Sequence, residues 1–220
     1  MTTPKIKVEI WSDVMCPFCY IGKRKFEAAL EKFPQKDNVQ ITWKSFQLSP
    51  DVKTDPSKNA NQFLAEHKGI SQSEAQAMHD RVTQLAASVG LKYDFNKAVV
   101  ANSFKAHCFT HFAKENGKQP EAEEALFRSY FTEGKNIDDD AVLLEIGKTL
   151  GLDTEALKVV LENRLYSDEV ENDIREAGQI GVRGVPFFVL DRKYAVSGAQ
   201  DSSTFLEVLN KVWSDSIKCN

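Results

Sequence analysis

The alternation of apolar and polar residues divides the chain into three parts. Residues 6–11 and 39–46 alternate with the period of a strand, and apolar residues from Tyr20 onward recur at helical spacing. A strand, a helix and a second strand within about 45 residues form a βαβ unit, so we expect these two strands to be parallel.

Helical spacing takes over in the middle of the chain, and no strand pattern persists there. The predicted helices span residues 60–68, 71–89, 101–116, 120–132, 139–150 and 154–163. We therefore expect an all-helical block.

The last part of the chain returns to strands. After a helix over residues 167–178, strands at residues 184–190 and 193–197 are joined by the short turn Asp191-Arg192. So short a link makes these two strands antiparallel. A final amphipathic helix begins near residue 202.

These elements predict an α/β fold with a mixed four-stranded sheet flanked by helices. The βαβ half occupies residues 1–56 and the ββα half residues 166–220, with the large all-helical insertion at residues 57–165 between them. The chain has 220 residues, 42% of them hydrophobic, which suffices for a substantial core.

The tetrapeptide Cys16-Pro17-Phe18-Cys19 lies where the first strand gives way to a helix. A helix N-terminus carries unpaired N–H groups and partial positive charge, which favour a thiolate at Cys16. Pro17 suits the first helical turn, because it lacks the N–H that would be unpaired there. Cys19, one turn further in, should be more buried. Thiol–disulfide exchange requires such a pair, in which Cys16 attacks and Cys19 resolves the mixed disulfide.

Val185-Pro186 opens the first strand of the second half. A proline there cannot donate a hydrogen bond to a ladder. Only about 5–6% of X–Pro bonds in folded proteins are cis, which favours a trans bond. The position of Pro186 opposite the CxxC helix outweighs that frequency. We predict a cis bond that exposes backbone groups of Val185 for pairing with an extended substrate.

The same cysteines allow a second interpretation, a metal site. His107 and His111 are four residues apart on a predicted helix, so they share a face. Together with Cys16 and Cys19 they would make a ligand set suited to zinc. The two pairs are about 90 residues apart, whereas compact zinc sites separate them by about 12–15 residues. We favour a redox pair over this site and over an inert, reduced pair.

Four further residues have two interpretations each. His107 either lines a pocket near the cysteines or only packs and caps. Asp13 either tunes proton transfer from Cys19 or completes a turn. Cys108 is interpreted as a buried apolar residue rather than a third redox thiol, and Cys219 as an incidental thiol rather than one used in intermolecular exchange.

Charge and hydropathy narrow the class of partner. The chain has 28 basic and 32 acidic residues, a net charge of −4, and no basic stripe, so we expect no nucleic-acid binding. It has no apolar run of about 18 residues, so we expect no membrane span. The start of the chain shows no secretory signal pattern. We therefore expect a cytoplasmic protein, in which a CxxC pair does redox work rather than forming a structural disulfide.

Four segments together resemble the DsbA-like thioredoxin superfamily, and its FrnE-like branch in particular. They are residues 12–22 around the CxxC motif, 101–107, 125–134 and 181–188. The similarity covers nearly the whole chain, which makes it more specific than a CxxC motif alone. It implies a thioredoxin fold with a helical insertion, disulfide oxidoreductase activity and a cis bond at Pro186, with Cys16 as nucleophile and Cys19 as resolving thiol.

We therefore predict a disulfide oxidoreductase that acts on protein or small-molecule disulfides and dithiols without a bound cofactor or metal. The catalytic pair is Cys16 and Cys19, and the predicted substrate-binding residues are Pro17, Phe18, His107, Val185 and Pro186. Glutathione or a thioredoxin-like protein is the expected redox partner. Two alternatives stay open: a glutathione-dependent isomerase or transferase of a small aromatic substrate, and a non-catalytic binding or chaperone module.

Overall fold

The computed structural model of the protein describes residues 5–218, and Cys219 lies outside this range. The described strands are β1 (Ile6–Ser12), β2 (Val39–Ser45), β3 (Asp55–Asn59), β4 (Val99–Val100), β5 (Phe187–Leu190) and β6 (Tyr194–Ser197). The described helices are α1 (Pro17–Lys32), α2 (Ala60–Lys68), α3 (Gln72–Ala87), α4 (Phe104–Glu115), α5 (Gln119–Phe131), α6 (Asp140–Thr149), α7 (Thr154–Glu162), α8 (Ser167–Gln179) and α9 (Ser202–Lys218).

Four of the strands form one mixed sheet in the spatial order β2-β1-β5-β6. β1 and β2 are parallel, β5 pairs antiparallel with β1, and β6 pairs antiparallel with β5. Asp191 and Arg192 link β5 to β6 with φ angles of 48° and 54°, the backbone of a tight hairpin turn. The predicted sheet, with its parallel first pair and antiparallel second pair, is confirmed.

The sheet is covered on both faces, which explains the residue pattern of β1. Ile6, Val8 and Ile10 are buried in the main core, which also includes residues of α1 and α9. Trp11 is buried in a separate cluster with Ala177 of α8. The end of β1, from which the CxxC motif follows, is therefore held from both sides.

The insertion is not all-helical, and in this detail the prediction is wrong. β3 and β4 pair antiparallel as a second, two-stranded sheet. β3 has the sequence Asp-Pro-Ser-Lys-Asn, which lacks strand-forming residues, and β4 has only two residues. β3 is too polar and β4, with two valines, is too short to show alternation, so their pairing is a tertiary feature that local sequence does not reveal. β3 also crosses the predicted domain boundary at residue 56, and both boundaries stay predictions.

The insertion packs directly on the sheet half. Phe127 of α5 stacks on Tyr20 of α1 with ring centroids 4.9 Å apart, and it contacts Trp43 of β2 edge-on at 6.4 Å. One hydrophobic core therefore includes residues of the sheet half and of the inserted helices. Within residues 5–218, none of the helices combines the length and the hydropathy that crossing a membrane requires.

Candidate active site

α1 begins directly after Cys16, which occupies the N-cap position with Pro17 as the first helical residue. The Cys16 N–H donates to Asp13 O at 2.9 Å, and the Cys19 N–H donates to Cys16 O at 3.0 Å. The Cys16 thiol therefore lies at the positive end of α1. Both thiols are free, and Cys16 is 3% exposed while Cys19 is fully buried. Because Cys16 is itself so little exposed, the shape of the space beside it decides what can reach it.

The environment of Cys19 keeps its thiol protonated. Burial, a hydrogen bond to the Cys16 sulfur and the charge on that sulfur raise the pKa of Cys19 well above that of a free thiol, although the backbone near Asp13 acts in the opposite direction. A thiol that keeps its proton does not compete as a nucleophile. The asymmetry between the two cysteines thus comes from burial at the inner position.

The loop before β5 lies against the motif. The Val185–Pro186 peptide bond is cis, and Val185 O accepts a hydrogen bond from Cys16 Sγ at 3.5 Å. Pro186 O accepts a hydrogen bond from the Gly198 N–H at 2.8 Å, which ties the loop to the residue after β6. The structure therefore brings Val185 and Pro186 together with the CxxC helix. Phe18, in the first turn of α1, is 42% exposed.

Gly22 allows α1 to approach this loop closely. A Cβ atom at Gly22 would lie 2.8 Å from Pro186 Cγ and 3.5 Å from Phe188 Cζ. The first of these distances is shorter than a van der Waals contact, so an alanine there would displace the helix or the proline loop. Sequence reasoning missed this residue, because a glycine inside a helix has no local signature of what packs on it.

The insertion holds the motif through Tyr93. The Tyr93 hydroxyl donates to Pro17 O at 2.7 Å, and its ring stacks on Phe131 with centroids 4.6 Å apart. Burial raises the pKa of Tyr93, so this phenol stays protonated and donates at all ordinary pH values. One of the carbonyls of the first turn of α1 is thereby fixed by a residue 76 positions away in sequence.

Asp13 and His107 lie behind the motif. The carboxylate of Asp13 accepts from the Met15 N–H at 3.1 Å and from the Leu48 N–H at 2.7 Å, which fixes the turn into the helix and the loop after β2. His107 Nε2 is 3.7 Å from Asp13 Oδ1. His107 is 2% exposed, so its side chain contacts Asp13 rather than an open surface. The predicted role of His107 in substrate binding stays a prediction.

Glu123 completes a buried group of charges with Asp13 and His107. Burial raises the pKa of Glu123 to about 7, although His107 and Lys23 act in the opposite direction. Burial alone would lower the pKa of His107, but the carboxylates of Asp13 and Glu123 outweigh it and raise that pKa. His107 Nε2 and Glu123 Oε2 have no hydrogen-bond partner among the described residues. Sequence reasoning missed Glu123, because an acidic residue on a helix is usually exposed.

A cavity of about 420 Å³ opens beside Cys16. The CxxC segment and the inserted helices α2 and α3 all contribute side chains to its lining. Its lining is mostly apolar and includes Met15, Pro17, Phe18, Phe63 and Phe95. His107 is not part of this lining.

The four side chains of the alternative zinc site do not converge. His111 Nε2 is 3.1 Å from Asp173 Oδ2 and 3.2 Å from Ser45 Oγ, so it is engaged at the packing surface of α8 and β2. No group of three or more cysteine, histidine or acidic side chains in the range 5–218 is arranged to hold a metal ion.

The comparison with known families agrees with this geometry. Residues 7–210 match the profile of the DSBA-like thioredoxin domain. The chain belongs to the DsbA-like thioredoxin family. Both the predicted superfamily and the predicted fold class are confirmed for this DsbA-like protein.

Three proteins illustrate what the chain is similar to. The crystal structure of a probable DsbA oxidoreductase from Streptomyces coelicolor has a TM-score of 0.90 at 41% identity, covering 95% of this chain and 90% of that one. The uncharacterized protein YwbO of Bacillus subtilis is 28% identical over 214 residues, 93% of this chain and 96% of its own length. The cytosolic disulfide reductase DsbM from Pseudomonas aeruginosa shares the fold, with a TM-score of 0.61 at 16% identity, covering 94% of this chain and 95% of that one.

Proposed function

We propose that this DsbA-like protein is a thiol–disulfide oxidoreductase that acts through Cys16 and Cys19. One observation carries the proposal. Cys16 lies at the positive end of α1 with its sulfur 3.5 Å from Val185 O, while the inner thiol, Cys19, is held protonated by burial. This arrangement supplies one attacking sulfur, that of Cys16, and one resolving sulfur, that of Cys19.

In the reductive direction the Cys16 thiolate attacks one sulfur of a substrate disulfide. A bond forms between Cys16 and that sulfur, and the other half of the substrate leaves as a thiolate. Cys19 then loses its proton to the leaving group and attacks the Cys16 sulfur, which releases the second half of the substrate. Two electrons pass from the cysteine pair to the substrate, and the pair becomes a disulfide.

The pair is reset by a thiol of the compartment, for which we propose glutathione or a thioredoxin-like protein. A complex of DsbM with GSH is known, which makes glutathione the first reductant to test here. The same residues allow the reverse reaction, and the reduction potential of the pair decides the direction. Equilibration of the protein in a series of glutathione buffers measures that potential.

The branch of the family to which the protein belongs and its cellular location are also proposals. The four sequence segments that contain residues 12–22, 101–107, 125–134 and 181–188 support the FrnE-like branch of the family. A cytoplasmic location stays a prediction, and fractionation of cells that express the full chain tests it.

The assignment of roles is tested by reduction of insulin in the presence of a small dithiol. We expect Cys16→Ser to abolish the reaction. We expect Cys19→Ser to accumulate a mixed disulfide between Cys16 and the substrate, which mass spectrometry of the intact protein detects. Cys108→Ser is the matched control, because Cys108 is buried and burial raises its pKa to about 11.

Several outcomes separate the alternatives. Equal residual activity of Cys16→Ser and Cys19→Ser contradicts the assigned roles. Full biological function of Cys16→Ser indicates a binding or chaperone module instead. A stable glutathione adduct on Cys16 without disulfide turnover favours a glutathione-dependent isomerase or transferase.

A further inference from the structure

The cavity beside Cys16 is lined by several aromatic rings. Five of its lining residues are Phe or Tyr, namely Phe18, Phe63, Phe95, Tyr130 and Phe131. Aromatic rings bind other rings favourably, by stacking or by edge-to-face contact. Two methionines, Met15 and Met78, add adaptable side chains to the same lining. The lining therefore suits a flat apolar group better than a charged or extended one.

The size of the cavity limits what enters it. Its volume of about 420 Å³ lies at the lower end of small-molecule sites, which suits a group of one or two rings. Side chains of α2 and α3 line the cavity together with those of the CxxC segment. A small molecule fits this volume more readily than a continuous protein chain does.

His79 supplies a polar contact in this apolar space. Its ring stacks on Phe95 with centroids 3.9 Å apart, and its Nδ1 is 2.5 Å from Asn61 Oδ1. Burial lowers the pKa of His79 to about 4, so the ring is neutral at neutral pH. A neutral imidazole has one N–H donor and one nitrogen acceptor.

A chain of hydrogen bonds decides which nitrogen of His79 accepts. The carboxylate of Asp80 can only accept, so Gln76 Nε2 donates to it at 2.7 Å and Gln76 Oε1 is left as an acceptor. Asn61 Nδ2 donates to Gln76 Oε1 at 2.7 Å and to Asn96 Oδ1 at 3.0 Å, so Asn61 Oδ1 must accept from His79. The proton therefore lies on Nδ1, and Nε2 is the acceptor. Nε2 has no hydrogen-bond partner within the described part of the chain.

We propose that this cavity binds the aromatic group of a small aryl disulfide, with a hydrogen-bond donor on the ring contacting His79 Nε2 and the sulfur presented to Cys16. This inference rests on the proposed function and narrows its substrate class. Cys16 would form a mixed disulfide with one aryl sulfur and release the other half as an aryl thiolate. Cys19 would then release the second aryl thiol and close the Cys16–Cys19 disulfide, so that one disulfide and one dithiol become two thiols and one protein disulfide.

The rate at which the reduced full-length protein consumes three disulfides tests the proposal. The probes are bis(4-hydroxyphenyl) disulfide, diphenyl disulfide and bis(2-hydroxyethyl) disulfide. Each rate constant is divided by that of dithiothreitol with the same probe, which removes differences in intrinsic reactivity. We expect the normalised rate to be highest for the hydroxyphenyl probe, by about tenfold over the phenyl probe, as one hydrogen bond allows. The phenyl probe should in turn exceed the hydroxyethyl probe.

His79→Leu should bring the hydroxyphenyl-to-phenyl ratio to about one, because the acceptor is lost. His67→Leu is the matched control, since His67 is exposed and does not line the cavity. An unchanged ratio in His79→Leu overturns the inference. A hydroxyphenyl-to-phenyl ratio of about one in the wild-type protein also overturns it. That result does not depend on the folding of any variant.

A binding measurement separates this inference from the redox function. Calorimetry with 4-(methylthio)phenol and thioanisole, which carry no disulfide, should show tighter binding of the phenol to the wild-type protein. If the protein reduces insulin but shows no preference for the aryl probes, the cavity assignment is overturned and the redox function stands. Selective binding of the phenol without reduction of any disulfide supports the cavity assignment and contradicts the redox function.

Discussion

The buried carboxyl of Glu123 should make the folded protein less stable as the pH rises. Glu123 is 3% exposed, and Oε2 has no hydrogen-bond partner within residues 5–218. Its charged form is therefore costly in the folded state and well solvated in the unfolded state. Replacement by glutamine keeps the size of the side chain and removes the charge.

The magnitude follows from the two pKa values of the carboxyl. Glu123 has a pKa of about 7 when folded and an ordinary value of 4.5. Between pH 4.5 and pH 7 the Glu123 carboxyl holds a proton in the folded protein and has released it in the unfolded protein. Its stability is therefore full below pH 4.5 and falls by about 1.4 kcal/mol per pH unit until the pH passes 7. The loss between pH 5 and pH 8 is about 2.5 kcal/mol.

Urea unfolding at pH 5 and pH 8, monitored by circular dichroism, measures this effect. Glu123→Gln should gain about 2.5 kcal/mol relative to the wild type between the two pH values. Glu124→Gln is the matched control. Burial alone would raise the pKa of Glu124, but hydrogen bonds from Arg24, Lys23 and Tyr20 outweigh it and lower that pKa to about 2.

The two neighbouring variants should therefore differ in sign at pH 8. Glu124→Gln removes a carboxylate that is stabilising above pH 4.5, so it should lower the free energy of unfolding there. Glu123→Gln should raise it. If the difference in stability between Glu123→Gln and the wild type is the same at pH 5 and pH 8, the folded pKa of Glu123 is not raised and the reasoning is refuted.

Two further variants test how the motif is positioned. Gly22→Ala should slow insulin reduction by about tenfold or more, because its Cβ would lie 2.8 Å from Pro186 Cγ. Gly178→Ala is the control and should leave the rate unchanged, because its Cβ would meet nothing within 4 Å. Equal rates in both variants would contradict the role of Gly22. Tyr93→Phe should lower the free energy of unfolding by about 1 kcal/mol through loss of the hydrogen bond to Pro17 O, and unchanged urea midpoints would show that this bond contributes nothing.

The sequence determines the sheet half and the place of the cysteine pair. β1, α1 and β2 follow from local periodicity, and the pairing of β5 with β6 follows from the short link at Asp191-Arg192. Pro17 at the start of a helix fixes Cys16 at its tip. These features depend on neighbours within a few residues, so a single sequence contains the information.

The tertiary structure alone decides what surrounds the pair. His107 is buried with its Nε2 3.7 Å from Asp13 Oδ1, and Glu123 is buried rather than exposed on its helix. The strands β3 and β4 exist only because they pair with each other. His79 becomes a directed acceptor through Asn61, a contact across 18 positions. Burial and contacts between residues distant in sequence set all of these properties, and no residue pattern records which distant face it will meet.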